Sequence, residues 1–219
     1  MNQNTIYSND ASTLVVNKMI RNTYMLLSMT LAFSAVCAAI ATMIGIGRWA
    51  SIGMSIGAFV LLFVTLKKAE GASGIFWVFA FTGLQGASLG YILNHYLQFA
   101  NGPSLIMQAL GLTSIIFVSL SGYALTTKKD FSFMRGFLIA GLVVMIGVML
   151  INIFVGSGML FMAMNAGIAL LMTGFILYDT SRIVNGGETN YIRATVSLYL
   201  DFINLFISLL NLLGLANDD

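Results

Sequence analysis

Long stretches without a charged residue alternate with short polar segments along almost the whole chain. A helix needs about 20 largely apolar residues to cross roughly 30 Å of hydrocarbon, and the charge-free runs divide into seven pieces of about that length. They cover residues 24–45, 49–66, 74–96, 105–125, 133–155, 159–178 and 195–215. Several breaks carry turn chemistry: Gly45-Ile46-Gly47-Arg48, Asn101-Gly102-Pro103, Gly156-Ser157-Gly158 and Asn185-Gly186-Gly187. The runs do not alternate apolar with polar positions, as the strands of a membrane barrel would. The pattern predicts an all-α integral membrane protein, a seven-transmembrane-helix bundle over residues 21–219, preceded by a polar tail over residues 1–20. Gly53 and Gly57 in the second helix and Gly86 and Gly90 in the third are small residues four apart, placed for close packing within one bundle.

Composition agrees. Of the 219 residues 58% are hydrophobic and 8% charged, against about 25% charged in an ordinary soluble domain. Too few charges exist to cover a water-facing surface, so the bilayer is the solvent. A net charge of +2 provides no basic field for nucleic acid, and the single Cys37 excludes an intramolecular disulfide framework and a cysteine-based metal cluster. The first twenty residues hold no short apolar core ending in a cleavage site, so the first span is expected to be its own insertion signal.

The basic residues choose a side. Lys18 and Arg21 precede span one, and Lys67 and Lys68 follow span two. Lys128, Lys129 and Arg135 lie between four and five, Arg182 and Arg193 between six and seven. With seven spans, nine of the ten basic residues fall on one side and only Arg48 on the other. The positive-inside rule then puts the amino terminus in the cytoplasm and the Asn217-Asp218-Asp219 end outside.

Ionisable groups inside a span are costly and mark function. Two acids cannot be assigned to a loop: Asp179 at the end of the sixth span and Asp201 inside the seventh. On these boundaries Asp201 lies about a turn and a half into its helix, within reach of Asp179. At 100° per residue, Ser197, Asp201, Asn204, Ser208 and Asn211 fall within about 80° of one another, a polar stripe expected to face neighbouring helices or a wet cavity. That expectation makes the seventh helix central, enclosed by helices one to six. The alternative for Asn204, Ser208 and Asn211 is a set of interhelical hydrogen bonds without a transport role. Two carboxyls held together away from bulk water would share a proton and so sense pH; deprotonated, they would offer oxygen ligands to a hard cation such as calcium. The competing reading is a static salt bridge from Asp179 to Arg182 or a neighbouring lysine.

Catalysis finds less support. His95 is the only histidine and lies near the outer end of the third span, where an interfacial hydrogen bond explains it. No His-Glu-x-x-His, Walker loop or Gly-x-Ser-x-Gly elbow occurs, and every lysine sits at a helix end rather than where a buried Schiff base forms. The chain is not expected to be an enzyme, and no cofactor is implied beyond calcium as a bound or transported ion.

The segments Ile176-Leu177-Tyr178-Asp179 and Ser197-Leu198-Tyr199-Leu200-Asp201-Phe202-Ile203-Asn204-Leu205-Phe206 resemble the signature of the Bax inhibitor-1 family, also called the transmembrane Bax inhibitor motif family. The stretch from Gly186-Gly187-Glu188-Thr189-Asn190 to Tyr199 looks like its bacterial YccA branch, as do Arg21-Asn22-Thr23-Tyr24, residues 126–133 and Asn152-Ile153-Phe154. The resemblance covers nearly the whole chain. It implies seven helices with the last enclosed by the others. From the calcium-leak members of the family it implies that Asp179 and Asp201 form a di-aspartyl pH sensor gating a cation path, a pH-sensitive calcium leak. Those members also use an arginine and an acid in the second helix, where this chain has only Lys67 and Lys68 at the end; with Arg182 these are the candidates for a basic latch. The YccA branch further implies a multi-pass protein of the bacterial inner membrane that binds and modulates the membrane protease FtsH, together with its prohibitin-like regulators. The polar tail, rich in Asn, Ser and Thr, suits a segment that such a protease engages, and equally suits an ordinary disordered terminus.

Overall fold

A computed structural model describes the chain over residues 3–71 and 73–216, with side chains from Val15 onward. Among these residues it is all helix. Eight α-helices follow in order: α1 Gln3–Ile44, α2 Arg48–Lys68, α3 Gly74–Ser88, α4 Gly90–Leu97, α5 Gly102–Thr127, α6 Arg135–Val155, α7 Gly158–Val184 and α8 Tyr191–Leu215. Helices α3 and α4 together make one crossing, interrupted only at Leu89, so seven apolar segments are long enough to span a membrane. In hydrocarbon each backbone N–H and C=O must be satisfied within the protein, and continuous helices achieve this without a partner. The single proline, Pro103, sits in the first turn of α5, where its missing N–H removes no helical hydrogen bond. At the end of α6, Gly156 adopts φ 65° and sends its N–H to the Asn152 carbonyl, closing the helix in the left-handed conformation that glycine tolerates.

Three boundaries differ from the sequence expectation. Helix α1 starts at Gln3, so the backbone of the polar amino-terminal segment is helical and continuous with the first crossing. Helix α7 continues to Val184 and α8 begins at Tyr191, leaving a short connection where a longer loop was expected. The Asn217-Asp218-Asp219 end lies outside the described residues.

The chain divides into two compact units, one comprising the chain through Tyr91 with Arg182–Tyr199, the other Ile92–Ser181 with the chain from Leu200 onward. In the first, α3 packs against both α1 and α2. The Tyr199 hydroxyl, fully buried, meets Ser34 Oγ at 2.7 Å and donates to the Thr82 carbonyl at 3.2 Å. Its ring stands edge-on to Phe81. Thr195 Oγ1 donates to the Thr23 carbonyl at 3.2 Å, and Asn190 Nδ2 to the Ala69 carbonyl at 3.1 Å, which fastens the start of α8 to α1 and to the end of α2. In the second unit, α6 packs on α7 through small residues: Gly141 receives Leu171, Gly167 receives Met145 and Gly174 receives Leu138. Of the seven crossings α8 is the most buried (61% of its apolar window) and α6 the least (6%).

Of the four glycines singled out for packing, three do pack. A side chain at Gly86 would overlap the Ser34 backbone carbonyl, one at Gly90 would press on Ala41, and one at Gly57 would touch Leu84. Gly53 faces open space, so its small size serves no contact within the chain. Gly86→Val is therefore expected to destabilise the protein by about 2 kcal/mol or more, since neither backbone can withdraw. Gly53→Val should stay within about 0.5 kcal/mol of the parent. Thermal unfolding of the detergent-solubilised proteins checks this, and equal midpoints for the two variants would contradict it.

Candidate functional site

The second unit holds both membrane acids. Asp201 comes from α8 and is 6% exposed; Asp179 comes from α7 and is half-buried. Because α8 begins at Tyr191, Asp201 lies about 15 Å into its helix, nearly three turns rather than a turn and a half. The sequence boundary failed because Arg193 was assigned to a loop, whereas it is helical and its Nη2 pairs with Glu70 Oε1 at 3.1 Å.

The turn carrying Asp179 is fastened on both sides of the acid's successor residues. Thr180 Oγ1 meets Ser121 Oγ of α5 at 3.4 Å, and buried Ser181 accepts the Phe131 N–H and donates to the Lys129 carbonyl, each at 3.0 Å. On α8, Phe202 stands edge-on to Phe117, 5.6 Å between ring centres. Asp179 lies near enough to Asp201 for the two carboxyls to interact. Asp201 Oδ2 is enclosed and has no hydrogen-bond partner among the described residues. An ionised carboxylate left so is expensive in a medium of low polarity. The site can relieve that cost by sharing a proton between the two carboxyls or by accepting a cation at their oxygens.

As a calcium site the pair is incomplete: no group of three or more His, Cys, Asp or Glu able to hold a metal occurs among the described residues, whereas calcium takes about six to eight oxygens.

The other expected residues are placed as follows. Ser208 and Asn211 are buried, and Ser197 half-buried. Asn204 is exposed and turns its amide back onto the Leu200 carbonyl at 2.8 Å. Its angle on the helix lies within the stripe, but burial depends on what stands opposite at that depth, and nothing covers it. Lys67 and Lys68 end α2 in the first unit with exposed side chains. Arg182 Nη2 lies 3.4 Å from Glu188 Oε2 and 3.3 Å from the Gly187 carbonyl, so it braces the connection between α7 and α8.

One polar chain extends beyond the sequence reading. Tyr96 donates its hydroxyl to Asn211 Oδ1 at 3.0 Å, Asn211 Nδ2 donates to Asn165 Oδ1 at 2.9 Å, and Asn165 Nδ2 donates to the Phe161 carbonyl at 2.8 Å. It borders a cavity of about 280 Å³ lined by Ile92, His95, Phe99, Phe161 and Leu215. The Tyr96 ring rests directly on Gly214, which only glycine permits. Asn211 belongs to the expected stripe; Asn165, an amide within an apolar run of α7, and Tyr96 are the members that the stripe alone does not point to. His95 is exposed, its ring edge-on to Tyr96 and Phe99.

Comparison with known proteins places this arrangement. The family model described as inhibitor of apoptosis-promoting Bax1 matches residues 16–218. A membrane protein of Vibrio cholerae is 52% identical over 208 residues, covering 94% of this chain and 93% of its own. A protein of Escherichia coli strain K12 named modulator of FtsH protease YccA is 48% identical over 208 residues, covering 95% of this chain and 94% of its own. A protein of Pseudomonas aeruginosa is 44% identical over 204 residues, covering 93% and 92%. With seven apolar crossings and a family match over nearly its whole length, this chain is an integral membrane protein that belongs to the Bax inhibitor-1 family.

Proposed function

We propose that the protein is a binding partner of the bacterial inner membrane that modulates the FtsH protease, with its amino terminus in the cytoplasm and its carboxy end outside. The observation that carries this is the 48% identity, over nearly the full length of both chains, to the Escherichia coli protein named as an FtsH modulator. Helix α1 adds support. It begins at Gln3 and carries the polar segment, with Lys18 and Arg21, ahead of the first charge-free run, a helical extension available to a partner beside the membrane. The nine-to-one distribution of basic residues supports the orientation. The function is binding and needs no catalytic residue; prohibitin-like regulators join as partners of the same complex. Co-purification from detergent-solubilised membranes tests this. FtsH is expected to accompany the parent protein and to fall about tenfold on deletion of residues 2–16, the loss a contact worth about 1.4 kcal/mol would cause. Absence of FtsH from both preparations would remove the proposal.

A second reading, a pH-dependent calcium leak, is favoured by the enclosed Asp201 Oδ2 with Asp179 beside it. Calcium is then cargo, passing the two carboxyls when they are deprotonated. Lys67, Lys68 and Arg182 are the basic groups offered as a latch, and the central place of α8 accords with its burial. In calcium-loaded proteoliposomes the flux of the parent should change with pH, while Asp201→Asn and Asp179→Asn should each give a flat profile. A parent without flux, or variants with the parent's pH profile, would rule out this gate.

A further inference from the structure

The connection between α5 and α6 brings together cations, aromatic rings and an acid hydrogen-bonded within its own loop, at the end of two membrane crossings. Lys128 takes φ 52°, the one non-glycine residue with positive φ among those described, and its N–H caps α5 on the Ala124 carbonyl. The left-handed residue ends α5, and a seven-residue connection with a 3-10 turn at Ser132–Met134 leads to Arg135 at the start of α6; Lys128, Lys129 and Arg135 are all exposed. Neither Lys128 nor Arg135 has an acidic partner among the described residues. The acid in the loop is turned inward on its own chain: Asp130 accepts the Ser132 N–H at 2.8 Å and the Ser132 hydroxyl at 3.0 Å, one oxygen each. Buried Ser181 pins the loop from within through Lys129 and Phe131.

Beside the cations runs a row of rings. Tyr123 neighbours Phe131 at 6.2 Å and Phe131 neighbours Phe133 at 6.3 Å between ring centres. Phe133 and Phe137, four residues apart, are 78% and 73% exposed. Gly136, between them and next to Arg135, has nothing within reach of a side chain, which leaves an open notch on the surface. Exposed phenylalanines at the foot of a crossing meet acyl chains rather than water, and lysine and arginine at that level meet headgroup phosphates.

We propose that the α5–α6 turn is a binding site for one anionic phospholipid, whose phosphate lies between Lys128 and Arg135 and whose acyl chain runs along Phe133 and Phe137. The charge argues for an anionic headgroup: Lys128 and Arg135 are exposed cations, and the one acid of the loop, Asp130, is hydrogen-bonded to Ser132. The adjoining apolar face argues for a lipid and not a free phosphate. Lys129 adds its charge without being needed to close the contact. The site also gives α6, the least buried crossing, an anchor at its first turn.

The purified full-length protein, incubated with phosphatidylglycerol and phosphatidylcholine in equal amounts, tests this by native mass spectrometry of the retained lipid. Phosphatidylglycerol should be preferred, and Lys128→Gln with Arg135→Gln should cut that preference by about 25-fold, about fivefold for each charge removed. Phe133→Ser with Phe137→Ser should weaken retention of both lipids. Lys67→Gln with Lys68→Gln, equally exposed cations elsewhere, should leave the preference unchanged. Parental preference in the Lys128/Arg135 variant would overturn the proposal, as would an equal loss in the Lys67/Lys68 variant. Displacement of the lipid by millimolar inorganic phosphate alone would overturn the assignment to a lipid. Gel filtration confirms that each variant is folded, and Lys128→Arg, which keeps the charge, should restore the preference.

Discussion

A carboxyl oxygen enclosed among apolar side chains without a hydrogen-bond partner is the constraint on which the candidate site depends. Asp201 Oδ2 is in that position. The hydroxyls in sequence beside Asp179 have other tasks: Thr180 meets Ser121, and Ser181 holds the loop at Lys129 and Phe131. What stands near the oxygen electrostatically is a second acid. In water two carboxylates at a few ångströms repel weakly; in a medium of low polarity the same repulsion is several times larger. A proton, a cation or a water molecule at this point therefore changes the energy of the arrangement of α7 and α8.

The rest of the bundle is held by different means. Between helices in lipid there is no hydrophobic gain from association, because the acyl chains are as apolar as leucine, so close approach and hydrogen bonds decide packing. The contacts follow this rule. Gly86 lets α3 lie against the Ser34 backbone, Tyr199 joins Ser34 to Thr82, and the glycines of α6 and α7 receive leucine and methionine side chains. The same rule explains how α6 stays folded with so little of it buried: lipid covers its leucines, isoleucines and valines at no penalty.

The crossings were readable in the sequence because some twenty residues without charge admit few other structures in a chain so poor in polar residues. Their ends were less so. Arg182 and Arg193 looked like loop residues since a bare guanidinium cannot enter hydrocarbon, yet each is helical and paired, with Glu188 and Glu70. Pairing across a connection is a tertiary fact that single-residue hydropathy does not contain. Asn204 shows the opposite failure: its helical angle put it inward, and the absence of a neighbour at that depth left it exposed. In the Tyr96–Asn211–Asn165 chain the helical angle of Asn211 pointed to an interhelical hydrogen bond, but its partners Tyr96 and Asn165 come from other crossings, and which residue stands opposite is not contained in one helix's periodicity.

The correction to the helix ends bears on chemistry. Asp179 lies five residues before Val184, about 7.5 Å from the end of α7, while Asp201 lies about 15 Å from the start of α8. An aspartate side chain extends only a few ångströms, so Asp179 can turn toward the membrane surface and Asp201 cannot. Their burial agrees, one half-buried and the other enclosed. The two carboxyls are therefore unequal partners: a proton or cation arriving from the Tyr191 end of α8 meets Asp179 first and Asp201 second. Had α8 begun at Thr195, both acids would have lain near the interface, and each could have exchanged with water on its own. The four residues from Tyr191 to Ala194, helical because Asn190 caps them through Oδ1 to the N–H groups of Ile192 and Arg193, are what set Asp201 a further turn into its helix.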